Sequence, residues 1–555
     1  MKIPTPLLLL LSTVAPLAAQ TKKNILLIAV DDLKPNIGAY GDPVAKTPNI
    51  DRLASRGLLF EHAYTNQAVC SPSRNALLTG ITPATLGIYD LATNFRKAAP
   101  DAITLPQQFL KNGYRAEAVG KLYHLGHGNE DDSASWSVPH SRPPAPTYAL
   151  DDSLAADGTA RPKDGKRGPR GAAVESADVS DETYSDGQTA NEVIKRLEAA
   201  KARPDTPFFI AAGFIRPHLP FVAPKKYWDL YDRSNLKLPA YQKAPEGAPE
   251  AAMRPNGELG QYKGTENSDN LSEAQQLELL HGYYAATSYT DSQVGRLLDT
   301  LDRLGLSENT IIVFWGDHGW HLGDHGLWSK HTNFEEAAHI PFIISAPGVT
   351  TPATKTKSLT HSIDLYPTLL ELTGLPRPES KPSIEGKSLV PVLKDPSASV
   401  NEAAFHVFPR KDLVGRAIRT STHRLVEWKK PGAPADTAEW ELYDYGTDPQ
   451  ETKNHIKEQP ELVASLKAKL AAFPEAKPQL KVKAEPEAPA AKKAGAGQDR
   501  AKLFRNRDKD KDGKLTREEF LVNQSDAETA PERFNRFDKN NDGSLTEAEY
   551  IAAGK

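Results

Sequence analysis

Cysteine occurs once in the chain, at Cys70, within Gln67-Ala68-Val69-Cys70-Ser71-Pro72-Ser73-Arg74-Asn75-Ala76-Leu77-Leu78-Thr79-Gly80. A lone cysteine has no internal disulfide partner. Pro72 sits where a first helical turn tolerates proline, Ala76-Leu77-Leu78 continues as helix, and Gly80 closes it. Cys70 therefore stands at a helix N-terminus, where unpaired N–H groups favour negative charge. A lone cysteine is more often a small buried thiol than a reactive one. The polar neighbours, the proline and Arg74 are poor core material, and they argue against that reading.

Four other stretches carry chemistry at one recurring place. Asn24-Ile25-Leu26-Leu27-Ile28-Ala29-Val30 is a continuous apolar run, the pattern of a buried parallel strand, and it ends in Asp31-Asp32. Thr310 to Trp315 is another, ending in Gly316-Asp317-His318-Gly319. Arg115 to Gly120 leads to Lys121 and His124, and Phe208 to Phe214 leads to Arg216-Pro217-His218. Adjacent carboxylates alone are equally a plain strand-to-loop transition. Four strands ending this way would gather the groups along one sheet edge, where open α/β sheets place their ligands. Asp31, Asp32, Asp317 and His318 form an oxygen-rich set with one imidazole, which suits calcium or magnesium better than a soft metal.

A separate metal signal lies near the C-terminus. Asp508, Asp510, Asp512, Gly513, Lys514 and Glu519 occupy positions 1, 3, 5, 6, 7 and 12 of a calcium loop. Asp538, Asn540, Asp542, Gly543, Ser544 and Glu549 repeat the pattern thirty residues on. Phe504, Phe520, Phe534 and Tyr550 flank the loops. This is an EF-hand pair.

Helices must fill the gaps between the strands. Thr47 to Gly57 has a start and a glycine stop, and Ser288 to Leu304 carries Val294, Leu297, Leu298 and Leu301 at helical spacing. The alternation argues an α/β core with a largely parallel sheet. Residues 129–188, rich in Pro, Gly, Ala and charge, read as a long surface insertion. From Ala404 short alternating segments read as a small antiparallel sheet, followed by a helix near Glu461 to Ala472. The domain reading is a signal peptide at 1–19, a catalytic domain at 24–385 and a C-terminal subdomain at 386–473. A Pro/Ala/Lys/Glu linker at 474–498 and the EF-hand pair at 499–555 follow.

Hydrophobic content of 39% in 555 residues supports a sizeable core, and a net charge of −4 gives no field for nucleic acid. Lys2, Leu7 to Leu11 and Pro16-Leu17-Ala18-Ala19 read as a secretory signal whose apolar part is too short for a transmembrane anchor. The expected location is exported, periplasmic or extracellular.

Cys70-Ser71-Pro72-Ser73-Arg74, continued by Leu77-Leu78-Thr79-Gly80, resembles the signature of the type I sulfatases, although Ile81 stands where an arginine is common. Val30-Asp31-Asp32-Leu33-Lys34-Pro35, Thr47-Pro48-Asn49-Ile50-Asp51, Val119-Gly120-Lys121 and Arg216-Pro217-His218-Leu219-Pro220-Phe221 look like the iduronate-2-sulfatase branch. Ser288-Tyr289-Thr290-Asp291 and the run from Asp317-His318-Gly319-Trp320 to Trp328-Ser329-Lys330 extend the likeness, which spans about Asn24 to Asn454.

The resemblance implies an alkaline-phosphatase-like core in which a maturation enzyme oxidises Cys70 to formylglycine, whose hydrate is the nucleophile. Asp31, Asp32, Asp317 and His318 would bind calcium together with position 70. Arg74 would orient and stabilise the hydrate, and Lys121 and Lys330 would clamp the sulfate. His124 would take a proton from the second hydroxyl, and His218 would protonate the leaving alcohol. The implied substrate is a sulfated saccharide, a 2-O-sulfated uronate first. The EF-hand tail would serve attachment to a surface or polymer. The rivals are a phosphoester or phosphonate hydrolase of the same fold, and a non-catalytic calcium-dependent binding protein.

Overall fold

The computed structural model describes residues 22–161, 168–253, 257–481, 504–505, 507–521, 530–540 and 542–552. The signal read at 1–19 lies outside them, as does most of the linker read at 474–498. The chain forms two compact units, one up to Lys481 and one C-terminal to it.

Asn24–Val30, Phe208–Phe214 and Thr310–Gly316 are buried along their whole length, as apolar strands covered on both faces must be. They lie inside a seven-stranded sheet. Its order is Thr354–Thr356, Leu58–Phe60, Phe342–Ser345, Thr310–Gly316, Asn24–Val30, Phe208–Phe214 and Arg115–Gly120. Phe342–Ser345 is antiparallel to both neighbours, and every other pair is parallel. The strands singled out by their charged ends are thus four consecutive parallel ones.

Side chains alternate across this sheet. Ile25, Leu27 and Ala29 share a cluster with Leu77, Leu78, Phe109 and Leu369, which belong to helices on one face. Leu26, Ile28 and Val30 join Ile50, Leu53, Val193, Leu197, Leu297 and Leu301 from helices on the other. The result is three layers, helix–sheet–helix.

Three expectations need correction. The helix expected over Ser288–Leu304 begins at Glu273, with Ser272 and Gln275 forming a reciprocal cap. Its first half presents Leu279, Leu280 and Tyr283 to a second cluster with Phe221 and Trp320, so no single apolar stripe runs its length.

The 129–188 insertion is built into the core. Ser137 N–H and Ser141 N–H donate to Ala116 O and Ala118 O at 2.7 and 3.0 Å, covering the free edge of the outermost strand. Arg170–Ala172 pairs with Tyr262–Lys263, Val174–Glu175 pairs with Phe221–Val222, and a helix starts at Ser185. Trp136, Tyr148 and Tyr184 are buried anchors that a composition argument averages away.

At the other end, Ala404–Arg410, Leu413–Arg419, His423–Lys429 and Glu439–Asp444 form the expected antiparallel sheet, with the Pro460–Leu470 helix on it. Its borders differ from the sequence reading. Leu389, Val390, Val392 and Leu393 pack in the catalytic core. Glu475 pairs with Arg416 and Lys429 at 2.8 and 2.6 Å, so residues 474–481 are docked rather than free linker.

In the C-terminal unit, Lys514–Thr516 and Ser544–Thr546 pair antiparallel, with Leu515 opposite Leu545. These leucines form a core with Phe504, Phe520, Phe534 and Tyr550. Gly513 and Gly543 take φ of 83° and 82°, the left-handed turn that position 6 requires.

Candidate active site

Ladder bonds continue one residue beyond three of the four parallel strands, while Ile215, after the fourth, donates instead to the Asp186 carboxylate. Asp317 N–H donates to Val30 O at 3.0 Å, Asp31 N–H to Phe214 O at 3.2 Å, and Lys121 N–H to Gly213 O at 2.8 Å. The charged residues therefore inherit the register of the sheet and stand side by side at its edge. Gly120 has a φ of 81°, and a side chain there would strike Gly213 O, so only glycine turns the chain here. Asp32 also has a left-handed φ, 59°, uncommon for a non-glycine residue. Its N–H donates to Asp317 Oδ1 at 3.0 Å and its carbonyl accepts from Tyr283 Oη at 2.8 Å, which hold the strain in place.

The Cys70–Thr79 helix is entirely buried, and Cys70 itself is 2% exposed, against the expectation that so polar a segment is poor core material. The helix is tolerated because its polar groups find partners. Ser73 Oγ donates to Asp317 O at 2.5 Å and accepts from Thr65 Oγ1 at 2.9 Å. Arg74 donates from Nε to Asp317 Oδ2 at 2.9 Å, and from its terminal nitrogens to Asp31 Oδ1 at 3.2 Å and the carbonyls of Lys121 and Leu122. Arg74 thus braces two carboxylates and lies over the Trp315 ring.

His318 Nδ1 donates to Gly319 O at 3.0 Å, which leaves Nε2 facing Cys70 Sγ at 3.4 Å and Asp32 Oδ1 at 3.4 Å. Lys121 Nζ lies 3.7 Å from Sγ and pairs closely with Asp31. Lys330 Nζ reaches both oxygens of Asp32 at 3.0 Å. Donor atoms of Asp31, Asp32, Cys70 and His318 all lie within 4.8 Å of one another. Asp317 stands beside this group, its Oδ1 accepting the N–H of Asp32 and of His318.

Burial penalises every charge here, and the balance differs from group to group. Burial raises Asp31, but Lys121, His218 and Arg74 outweigh it and hold the carboxyl well below its usual range. For Asp32 burial wins over Lys330 and His318, with Asp31 and Cys70 adding repulsion, so its carboxyl is pushed well up. His318 is opposed by burial but lifted to about 10 by Asp317, Cys70 and Asp32. Carboxylate oxygens and one imidazole gathered this closely are a donor set that fits a calcium- or magnesium-sized cation.

The two other histidines line a cleft that opens from Lys121. Burial lowers His124 to about 3, and neither ring nitrogen has a hydrogen-bond partner. His218 Nδ1 donates to Leu219 O at 2.6 Å, so Nε2 is its exchangeable position, 3.9 Å from Asp32 Oδ2. Sequence reasoning missed Glu258. Its carboxylate spans His218 Nε2 at 3.3 Å and Lys330 Nζ at 3.2 Å, and Lys330 followed by His218 hold it ionised against burial. No strand or periodic pattern precedes Glu258, so nothing local marked it.

In the C-terminal unit, Asp508, Asp510 and Glu519 bring ligand atoms within 4.8 Å of one another. Asp512 Oδ1 accepts the N–H of Lys514 at 2.8 Å, and Glu519 caps Thr516. In the second loop Asp538 Oδ2 accepts Gly543 N–H at 2.9 Å, and Asn540 bonds Asp542. Ser544 also bonds Asp542, and Glu549 caps Thr546.

The family model "Sulfatase" matches residues 23–375, that of the N-sulphoglucosamine sulphohydrolase C-terminal region matches 323–476, and an EF-hand model matches 500–522 and 532–552. Iduronate 2-sulfatase of Homo sapiens is 34% identical over 479 residues, 73% of this chain and 84% of that protein. Among solved structures, one complex with its substrate D-glucosamine-2-N,6-O-disulfate aligns at a TM-score of 0.64 and 21% identity, covering 81% of this chain and 97% of the other. The phosphonate monoester hydrolase of Agrobacterium radiobacter aligns at 0.65 and 22%, covering 81% and 95%. These two share the fold whatever their esters. With the Sulfatase model matching residues 23–375 and a relative 34% identical across 84% of its own length, this chain belongs to the sulfatase family of sulfuric ester hydrolases.

Proposed function

We propose that the protein hydrolyses sulfate esters of sulfated saccharides, in the manner of its iduronate 2-sulfatase relative. The observation that carries this is Cys70 Sγ, 3.4 Å from His318 Nε2 and 3.7 Å from Lys121 Nζ, at the start of Cys70-Ser71-Pro72-Ser73-Arg74. A formylglycine made from Cys70 by a maturation enzyme supplies the nucleophilic hydroxyl. Asp31, Asp32, Asp317, His318 and position 70 would hold calcium, whose charge polarises a sulfate oxygen.

The chain's own residues do the rest. Lys121 and Lys330 counter the sulfate's anionic oxygens in a largely buried site, where charge counts most. Arg74 bridges Asp31 and Asp317 and fixes their orientation. His124 accepts a proton from the side chain at position 70 at one of its unpartnered ring nitrogens. His218, its Nδ1–H held by Leu219 O, presents Nε2 as the position from which it would protonate the leaving alcohol oxygen.

The EF-hand loops would take calcium of their own, and the tail would attach the enzyme to a surface or polymer. The protein works outside the cytoplasm, in the periplasm or beyond. Among the described residues no helix is long and apolar enough to cross a membrane.

Mass spectrometry of the Cys70 peptide, with sulfate release from an aryl ester before and after Cys70→Ala, tests the reading. Unmodified cysteine in active enzyme overturns the nucleophile assignment. The fold shared with a phosphonate hydrolase gives the second reading, and release of phosphate or phosphonate in preference to sulfate would select it.

A further inference from the structure

The cleft that begins at Lys121, His124 and His218 extends away from Cys70 for about 680 Å³, the size of a cavity for an oligosaccharide-sized ligand rather than a lone ester. Its described lining contains Lys121, Arg142, Arg161, Arg170 and Arg216 but no aspartate or glutamate. Three acids outside this lining have partners of their own. Asp186 accepts the N–H groups of Ile215 and Arg216, Asp131 pairs with His140, and Glu258 pairs with His218 and Lys330.

The arginines are held by structure. Arg142 follows Ser141, whose N–H and C=O pair with the outermost strand of the sheet at Ala118 and Gly120, and its guanidinium donates to Tyr123 O at 2.8 Å. Arg170 opens the short strand paired with Tyr262 and lies over that ring. Arg216 is 5% exposed, and its buried Nε has no partner. Asp131 acts on Arg142 and Asp186 on Arg216 from outside the lining, but no carboxylate of the described lining meets these guanidiniums within the cavity, which leaves that side open to an anion.

Resting on the sulfatase reading, we infer that this arginine wall, two members of which come from the 129–188 insertion, binds a second anionic group of the substrate. That group is a uronate carboxylate or a second sulfate on the same or the adjoining sugar. The scissile sulfate lies at Cys70, and the second anion lies along the cleft against Arg142, Arg170 and Arg216. The insertion is thereby the specificity element of the enzyme.

Three disaccharides test it: a monosulfated neutral one, its counterpart with a uronate carboxylate, and its counterpart with a second sulfate. 4-Nitrophenyl sulfate reports hydrolysis alone. The wild-type enzyme should favour one or both two-anion sugars by at least about tenfold in kcat/KM, and the arms identify which anion is bound. Arg142→Gln and Arg170→Gln should each lower that preference about tenfold, the worth of one charge-assisted hydrogen bond.

Calorimetric binding of the same sugars gives a readout independent of turnover. Affinity for the two-anion sugars should weaken more steeply with salt than affinity for the one that carries the single sulfate. This wild-type measurement stands even where a variant fails to fold. Wild-type preference within twofold across the three sugars, with equal salt slopes, overturns the inference, as does an unchanged preference in both folded variants. Failure to hydrolyse 4-nitrophenyl sulfate, with anion-dependent binding intact, would instead remove the sulfatase reading and keep the subsite.

Discussion

Arg74→Ala isolates what the buried guanidinium does. The side chain is fully buried and donates to Asp317 at 2.9 Å, to Asp31 at 3.2 Å and to two carbonyls. Removing one partner of a buried ion pair costs about 3–5 kcal/mol, because the surviving charge stays desolvated. Here two carboxylates survive. Lys121 still reaches Asp31, but Asp317 keeps only the backbone N–H groups of Asp32 and His318 and the His318 ring at 3.6 Å. The loss should sit near the upper end, about 5 kcal/mol, comparable with the whole stability of an ordinary domain. A divalent cation on the same carboxylates offsets part of this, since binding only the native state adds roughly 4 kcal/mol at a thousandfold excess over Kd. Without the competing guanidinium the cation binds more tightly, so calcium should raise the melting midpoint further in the variant than in the wild type. Thermal unfolding by near-ultraviolet circular dichroism, in EDTA and in calcium, reads both effects. A variant melting within about 2 °C of wild type in both conditions would refute the brace, and equal calcium shifts would refute the shared site.

Cys70→Ala should abolish sulfate release and leave the melting midpoint near wild type, because Sγ makes contacts but bears no structural load; residual wild-type turnover would remove it from the mechanism. Glu258→Gln keeps the shape between His218 and Lys330 but deletes the charge, so kcat should fall roughly tenfold and the pH–rate profile should move; an unchanged profile would make Glu258 a mere neighbour. Truncation after Lys481 should preserve turnover of a small ester while removing the EF-hand metal, whereas truncation before Glu475 should destabilise by stripping Arg416 and Lys429; lost activity in the longer piece would join the tail to the catalytic unit. His406 is 2% exposed and burial lowers it to about 3, so the fold holds it neutral. Its contribution is full above the unfolded value near 6.5 and is lost as pH falls towards 3, at most about 5 kcal/mol. His406→Asn, which can keep the bond to Asn333, should therefore flatten the fall of melting midpoint between pH 6.5 and 4; an unchanged slope would disprove it.

Much of the catalytic edge was legible because parallel sheets enforce a sequence rule. A strand buried on both faces reads as an unbroken apolar run, and the first polar residue after it marks the sheet edge. Asn24–Val30, Phe208–Phe214 and Thr310–Gly316 obey the rule fully, and Asp31 and Asp317, which follow the first and last, share Arg74 as a partner. The register of the ladder sets Lys121, Asp31 and Asp317, three distant sequence positions, along one edge. The EF-hand loops were legible for a different reason, since each carries its ligands within one short turn.

The Cys70 helix was misjudged because composition records what a side chain is and not what it meets. Ser73, Arg74 and Thr79 look like surface residues, yet each finds its partner, Arg74 in carboxylates more than forty positions away or in carbonyls beyond Lys121. The insertion failed in the same way: its glycines and prolines suggested a detached loop, while a few aromatics and one free strand edge tied it to the core. Glu258, Arg142 and Arg170 were beyond reach for a third reason. They come from segments without periodicity: Glu258 takes its meaning from the distant His218 and Lys330 it reaches, and the arginines from a counter-charge absent from the described lining of the cleft. A local pattern can announce a ligand; a missing partner becomes visible only once the chain has been folded around it.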